Sequence, residues 1–139
     1  MNWTFGTLNI RALADKRIPT SRILPDFCDI CMLQETHITE NSSENLGEWT
    51  LLNSGLEEDK WGGVAFLIKN KHMSLMKNFS YNSRICAVEI TIKIKNITLI
   101  NVYAPPRNNE YKKLLNVLET FLATLPKNTI KLIMGDFNG

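Results

Sequence analysis

No apolar stretch in this sequence approaches the ~20 residues that a bilayer span requires, and the longest ones are broken by Lys, Asn, Asp or Glu. An integral membrane protein is therefore not expected. The segment Met1 to Ile10 lacks a basic region and an apolar core ahead of a small-residue cleavage site, so secretion is not expected. Cysteine is scarce: Cys28, Cys31 and Cys86 cannot all pair internally. They read as buried thiols of an intracellular protein, nuclear or cytoplasmic. Cys28-x-x-Cys31 has no second pair to complete a zinc site and lies beside an apolar run, so it reads as structural. Neither sign of charge dominates, since 16 Lys+Arg against 14 Asp+Glu leave a net charge of +2. Any basic surface must be local. Internal repeats and linkers are missing, and a composition of 44% hydrophobic and 22% charged residues excludes disordered and collagenous classes. Residues 1–139 read as a single domain, long enough to build one core.

The pattern along the chain is mixed. Thr4 to Ile10 is short and β-prone, and Ala12 to Leu24 is a helix candidate that Pro19 interrupts and Pro25 ends. Ile30 to Gln34 is an apolar run of the buried-strand kind, followed by the polar trio Glu35, Thr36 and His37. The Ser/Asn/Glu-rich stretch Glu40 to Glu48 reads as a surface loop. Trp49 to Asn53 and Val64 to Ile68 predict strands, the second preceded by Gly62-Gly63. Ile85 to Ile94 alternates as a half-buried strand does, Asn96 offers a turn, and Ile97 to Tyr103 is almost continuously apolar, which together predict a hairpin. From Glu110 to Leu125 the period becomes helical through Leu114, Leu118, Phe121 and Leu125, with Asn108 or Asn109 as cap and Pro126 as stop. Ile130 to Met134 predicts a last buried strand. Trp3, Trp49 and Trp61 read as core or partly buried aromatics. His72 lies in a surface-like stretch. Lys69, Lys71, Lys77, Lys93 and Lys95 fit a solvated strand face or a nucleic-acid backbone track equally well.

Four apolar runs end in groups able to bind a hard cation or a phosphate: Asn9; Glu35; Asn101 with Tyr103; and Asp136 with Asn138. One such ending is ordinary, because polar residues favour turns and caps. In layered α/β architectures, however, strand ends converge on one rim of a sheet, where ligands sit. A rim of Asn, Glu, Tyr, Asp and Asn is an oxygen-donor set suited to Mg²⁺.

The segments Thr7-Leu-Asn9-Ile-Arg11, Asp29-Ile-Cys-Met-Leu-Gln34-Glu35-Thr-His37, Gly62-Gly-Val-Ala-Phe-Leu-Ile68, Asn101-Val-Tyr103-Ala-Pro105 and Gly135-Asp136-Phe-Asn138 resemble, in order, the motifs of the endonuclease/exonuclease/phosphatase superfamily. Their wording is most similar to the endonuclease domain of non-LTR (LINE-type) retrotransposons, relatives of apurinic/apyrimidinic endonucleases. The resemblance implies an α+β fold: the N-terminal part of a four-layered, DNase I-like α/β sandwich with its second sheet incomplete. It implies a Mg²⁺- or Mn²⁺-dependent hydrolase that nicks DNA, with a reverse transcriptase region downstream in the parent protein. Glu35 matches the metal-binding glutamate, and Asn9 the asparagine that supports metal and phosphate. Asp136 matches the aspartate that orients or deprotonates the attacking water, and Asn138 the asparagine that holds that water and a phosphate oxygen. Tyr103 matches a tyrosine on the scissile phosphate, and Asn101 shapes the same phosphate-binding loop.

The sequence also departs from the family. Its motifs end at Gly139, without the later aspartate and the Asp-His element whose histidine contacts phosphate. Neither His37 nor His72 takes that place, and Ala12 stands where Gly is usual. The expectation is accordingly a truncated domain, an endonuclease by ancestry that is inactive as these 139 residues. The alternatives are a catalytically dead remnant that at most binds nucleic acid or a partner, and a phosphatase of the same superfamily.

Overall fold

Two sheets face each other in a computed structural model that describes residues 3–13, 28–105 and 108–138. In the first, β1 (Phe5–Asn9) lies parallel to β2 (Ile30–Gln34), followed across the sheet by β5 (Val64–Lys69), β4 (Trp49–Ser54) and β3 (Ser42–Leu46). A 3-10 helix over Asn70–Leu75 leads into the second sheet, ordered β6 (Met76–Ser80), β7 (Ile85–Ile92), β8 (Lys95–Tyr103) and β9 (Ile130–Asp136). Helix α1 (Asn108–Thr124) makes the crossover that lets β9 run parallel to β8.

The period-2 alternation of the strands sorts their side chains into layers. Ile30, Met32, Val64, Phe66 and Ile68 of the first sheet meet Cys86, Val88, Ile90 and Leu99 of the second to form the central core. The opposite face of the second sheet, with Ile85, Ala87, Ile100 and Val102, receives Leu114, Leu118, Phe121 and Leu125 of α1 and the residue beyond it. Lys112, Lys113 and Glu119 stay exposed, as the helical period predicts. The outer face of the first sheet carries another apolar cluster around Leu33, Leu51 and Leu67. This is the α+β sandwich expected, with a second sheet of four strands.

Several local expectations are corrected. Ile130–Asp136 forms the last strand but not a buried one: β9 is the edge of its sheet, and Ile130, Leu132 and Ile133 are exposed. Ser42–Leu46, read as part of a surface loop, forms β3, because Gly47 at φ +73° turns the chain back onto β4. The β7–β8 turn falls at Lys93 and Ile94, two residues before Asn96. Lys93 takes the left-handed conformation, at φ +57°, that a two-residue hairpin loop demands. His72 is buried against Asp29 and Trp3, and Trp61 is exposed. The helix expected over Ala12 to Leu24 lies, apart from Ala12 and Leu13, outside the described residues; those two are not helical. The three cysteines are buried and free, and burial pushes the Cys31 thiol up to about 12. No helix among the described residues is long and apolar enough to cross a membrane.

Candidate functional site

Parallel pairing aligns strand ends, and here it does so twice on one rim. Asn9 at the end of β1 pairs with Gln34 at the end of β2, and Tyr103 at the end of β8 pairs with Asp136 at the end of β9. The second pairing depends on Gly135, which has φ +147°. A Cβ at this position would collide with the carbonyl of Val102, so only glycine lets β9 close on β8 and carry Asp136 alongside Tyr103.

The Asn9 amide then joins the two sheets. Its Nδ2 donates to Glu35 Oε2 and, at 2.8 Å, to Asp136 Oδ2. Two carboxylate oxygens on one nitrogen lie no more than about 6 Å apart. The Arg11 N–H donates to Asn9 Oδ1 at 3.1 Å and holds the amide in place. Glu35 itself sits in the left-handed region at φ +55°, as do Arg11, Ala12, His37 and Asn138 around it. Such conformations cost free energy and persist where the surroundings fix them. Asn138 is fixed twice: its N–H donates to Asp136 Oδ1 at 3.2 Å and its Nδ2 to the Ala104 carbonyl at 2.8 Å.

Tyr103 is buried, and its neighbours set the state of its hydroxyl. Burial raises its pKa above the ordinary phenol value and the Glu35 and Asp136 carboxylates raise it further, against a partial lowering by Arg84. The phenol therefore stays protonated at neutral pH and can donate a hydrogen bond. Arg84 packs its guanidinium 4.8 Å from the centre of the Tyr103 ring. Its Nε donates to Asp59 Oδ2 at 2.9 Å, and the Ser83 hydroxyl donates to the same oxygen at 2.5 Å. Arg84 is a rim residue that the sequence analysis missed. It stands outside every apolar run, and its partner Asp59 is 25 residues away.

Asn101 does not join this group. It is fully buried, with Nδ2 donating to the carbonyls of Leu33 (2.9 Å) and Ala65 (2.8 Å) and Oδ1 accepting from Gln34 Nε2 (2.9 Å). Both amide hydrogens tie β8 to β2 and β5 inside the core, so the side chain expected at the phosphate faces inward instead and holds the sheets in register. The rim proper comprises Asn9, Glu35, Asp136, Asn138, Tyr103 and Arg84. A shallow cleft of about 270 Å³ opens beside it, lined by Thr7, Leu8, Asn9, Gln34, Gly135, Asp136 and Phe137. No group of three or more His, Cys, Asp or Glu side chains that could hold a metal ion occurs among the described residues. What the rim offers instead is two carboxylates and amide oxygens, a hard-donor set that fits a largely hydrated Mg²⁺ or Mn²⁺.

The chain is similar in fold to several solved structures. The endonuclease domain of TRAS1, a telomere-specific non-LTR retrotransposon, matches with a TM-score of 0.63 at 17% identity, over 99% of this chain and 60% of that one. The catalytic domain of Xenopus laevis APE2 matches with a TM-score of 0.65 at 18% identity, over 96% and 57%. The 3′ phosphatase NExo from Neisseria, bound to a product DNA hairpin, matches with a TM-score of 0.63 at 18% identity, over 95% and 56%. The chain thus spans less than two thirds of each of these structures. No curated protein matches it. The sequence pattern described as the Endonuclease/Exonuclease/phosphatase family covers residues 6–139, nearly the whole chain, and the protein belongs to that family of nucleases and phosphatases.

Proposed function

We propose that the rim is part of the active site of a divalent-metal-dependent DNA endonuclease of retrotransposon type, one that hydrolyses a phosphodiester and leaves a nick. The observation that carries this reading is the single Asn9 amide that holds the Glu35 and Asp136 carboxylates together across the two sheets. Two carboxylates beside a neutral phenol, in a chain of the Endonuclease/Exonuclease/phosphatase family, support phosphodiester hydrolysis.

In this reading Glu35 would hold Mg²⁺ or Mn²⁺, with Asn9 supporting the site by fixing the Glu35 and Asp136 carboxylates. When bound, the ion neutralises charge on the phosphate and the leaving oxygen. Asp136 accepts the proton of the attacking water, and Asn138 orients that water. The protonated Tyr103 hydroxyl donates to a non-bridging phosphate oxygen, and Arg84, paired with Asp59 and packed on the Tyr103 ring, positions that ring. Asn101 acts through position alone. A reverse transcriptase region elsewhere in the parent protein belongs to the same proposal.

The solved structures it resembles extend well beyond the part this chain covers. We therefore propose that the 139 residues alone bind the cation weakly and do not nick DNA, because a misplacement of about 1 Å costs on the order of a hundredfold in rate. Mn²⁺ titration followed by NMR line broadening tests the site: broadening centred on the Asn9 amide and lost in Glu35→Gln supports it, and broadening indifferent to that change overturns it. Supercoiled plasmid tests the activity. Mg²⁺-dependent nicking by the chain alone, abolished by EDTA and by Glu35→Ala, would overturn the claim that these residues are insufficient. Release of a 3′ phosphate without nicking would replace the endonuclease with a phosphatase.

A further inference from the structure

We propose that Trp61 is a stacking platform for an unpaired nucleobase adjacent to the phosphate held at the rim. The proposal rests on the nuclease reading of that rim and specifies the form of substrate it takes.

Trp61 was expected in the core or partly buried, yet it is 72% exposed. What sets this indole apart is its place beside the rim, where its flat apolar face is open to a planar group. Its ring contact is with His37, at a centroid distance of 5.5 Å and an interplanar angle of 89°. The backbone beside it is held firmly. The Gly62 carbonyl accepts the His37 N–H at 2.9 Å, the Gly63 carbonyl accepts the Thr36 N–H at 3.1 Å, and the Gly63 N–H donates to the Ser83 carbonyl at 2.8 Å. Gly63 has φ +92°, and a Cβ there would strike the Thr36 hydroxyl, so the clamp depends on glycine.

His37 supplies the second, independent observation. Its Nε2 is buried without a hydrogen-bond partner among the described residues and lies 3.8 Å from Glu35 Oε1. The imidazole thereby links the Trp61 indole to the Glu35 carboxylate. Carboxylate, imidazole and exposed indole thus follow one another outward from the rim, a polar path ending in an aromatic surface. A nucleotide has the matching layout of phosphate, sugar and flat base. In a duplex both faces of each base are already stacked, so a single exposed indole selects a base that is unpaired, frayed or extruded.

The test uses the 139-residue chain with Mg²⁺, which supplies the cation the rim needs to hold a phosphate. Fluorescence anisotropy compares an oligothymidylate of roughly ten nucleotides, a length within typical single-strand sites, with an abasic oligonucleotide of equal length and charge. The chain is expected to bind the thymidylate about tenfold more tightly than the abasic strand. Trp61→Ala should erase that preference while leaving abasic affinity and the unfolding midpoint unchanged, and Trp61→Phe should retain most of it. A preference that survives Trp61→Ala, or wild-type binding of the two strands with equal affinity, overturns the platform while the nuclease reading stands. Binding of neither strand overturns the platform, while the Mn²⁺ titration of the rim decides the nuclease reading separately. Tighter binding of the thymidylate once it is paired with its complement overturns the requirement for an unpaired base.

Discussion

Gln34 donates its amide to the side-chain oxygen of Asn101 at 2.9 Å, a bond between the two sheets made inside the core. Asn101 returns the tie by donating to the Leu33 and Ala65 carbonyls. Removing one partner of a buried hydrogen bond leaves the others unsatisfied, at about 1–3 kcal/mol for each group. Asn101→Ala is therefore expected to lower stability by roughly 3 kcal/mol or more, measured as a drop in the urea midpoint. A change under about 1 kcal/mol would show that water takes over the tie.

Ala12 occupies the left-handed region, at φ +75°, while its N–H donates to the Glu35 carbonyl at 2.7 Å. A side chain with a Cβ pays about 1–2 kcal/mol there, and glycine gives back part of that gain as unfolded-chain entropy. Ala12→Gly should stabilise the chain by roughly 0.5–1 kcal/mol, seen as a higher urea midpoint with an unchanged slope.

Asp29 accepts from the Thr4 N–H at 2.9 Å and meets His72 Nε2 at 2.7 Å. Burial alone would raise its pKa, but the Thr4 and His72 bonds outweigh this and hold the carboxyl below its ordinary value. A carboxyl depressed in the folded state stabilises it above the unfolded pKa of about 4, and that contribution is lost as pH falls through the folded value. Wild type should exceed Asp29→Asn in urea stability near neutrality, and the gap should close as pH falls below about 4. A gap independent of pH would refute the linkage.

Arg84 lowers the pKa of Tyr103, against burial, Glu35 and Asp136. Arg84→Ala should therefore move the phenol titration to still higher pH. Ultraviolet difference titration, with Tyr103→Phe identifying the signal among the three tyrosines, checks this. A downward shift would mean that the guanidinium does not face the hydroxyl.

Strands and helix were legible wherever side-chain period alone decides the outcome, as in the Leu114, Leu118, Phe121 and Leu125 stripe. Where backbone geometry decides, the sequence misled. β3 exists because Gly47 turns Ser42–Leu46 back onto β4, and its polar residues carry no strand period of their own. The candidate site divides in the same way. Asn9, Glu35, Tyr103, Asp136 and Asn138 were legible because each closes an apolar run. Arg84 closes none, and Asn101 closes a run but spends its amide inward. Trp61 looked like core because tryptophan usually is, and nothing local marks an indole that faces solvent.

Asn9 and Asp136 are 127 residues apart in sequence, and both carboxylates depend on the same amide. The rim is therefore expected to close late in folding, since long-range parallel pairing closes slowly. A chain interrupted before β9 has the glutamate but nowhere to hold it. Whatever the rim binds finds no assembled partner in the unfolded chain, so it should leave the folding rate untouched and act by slowing escape from the native state.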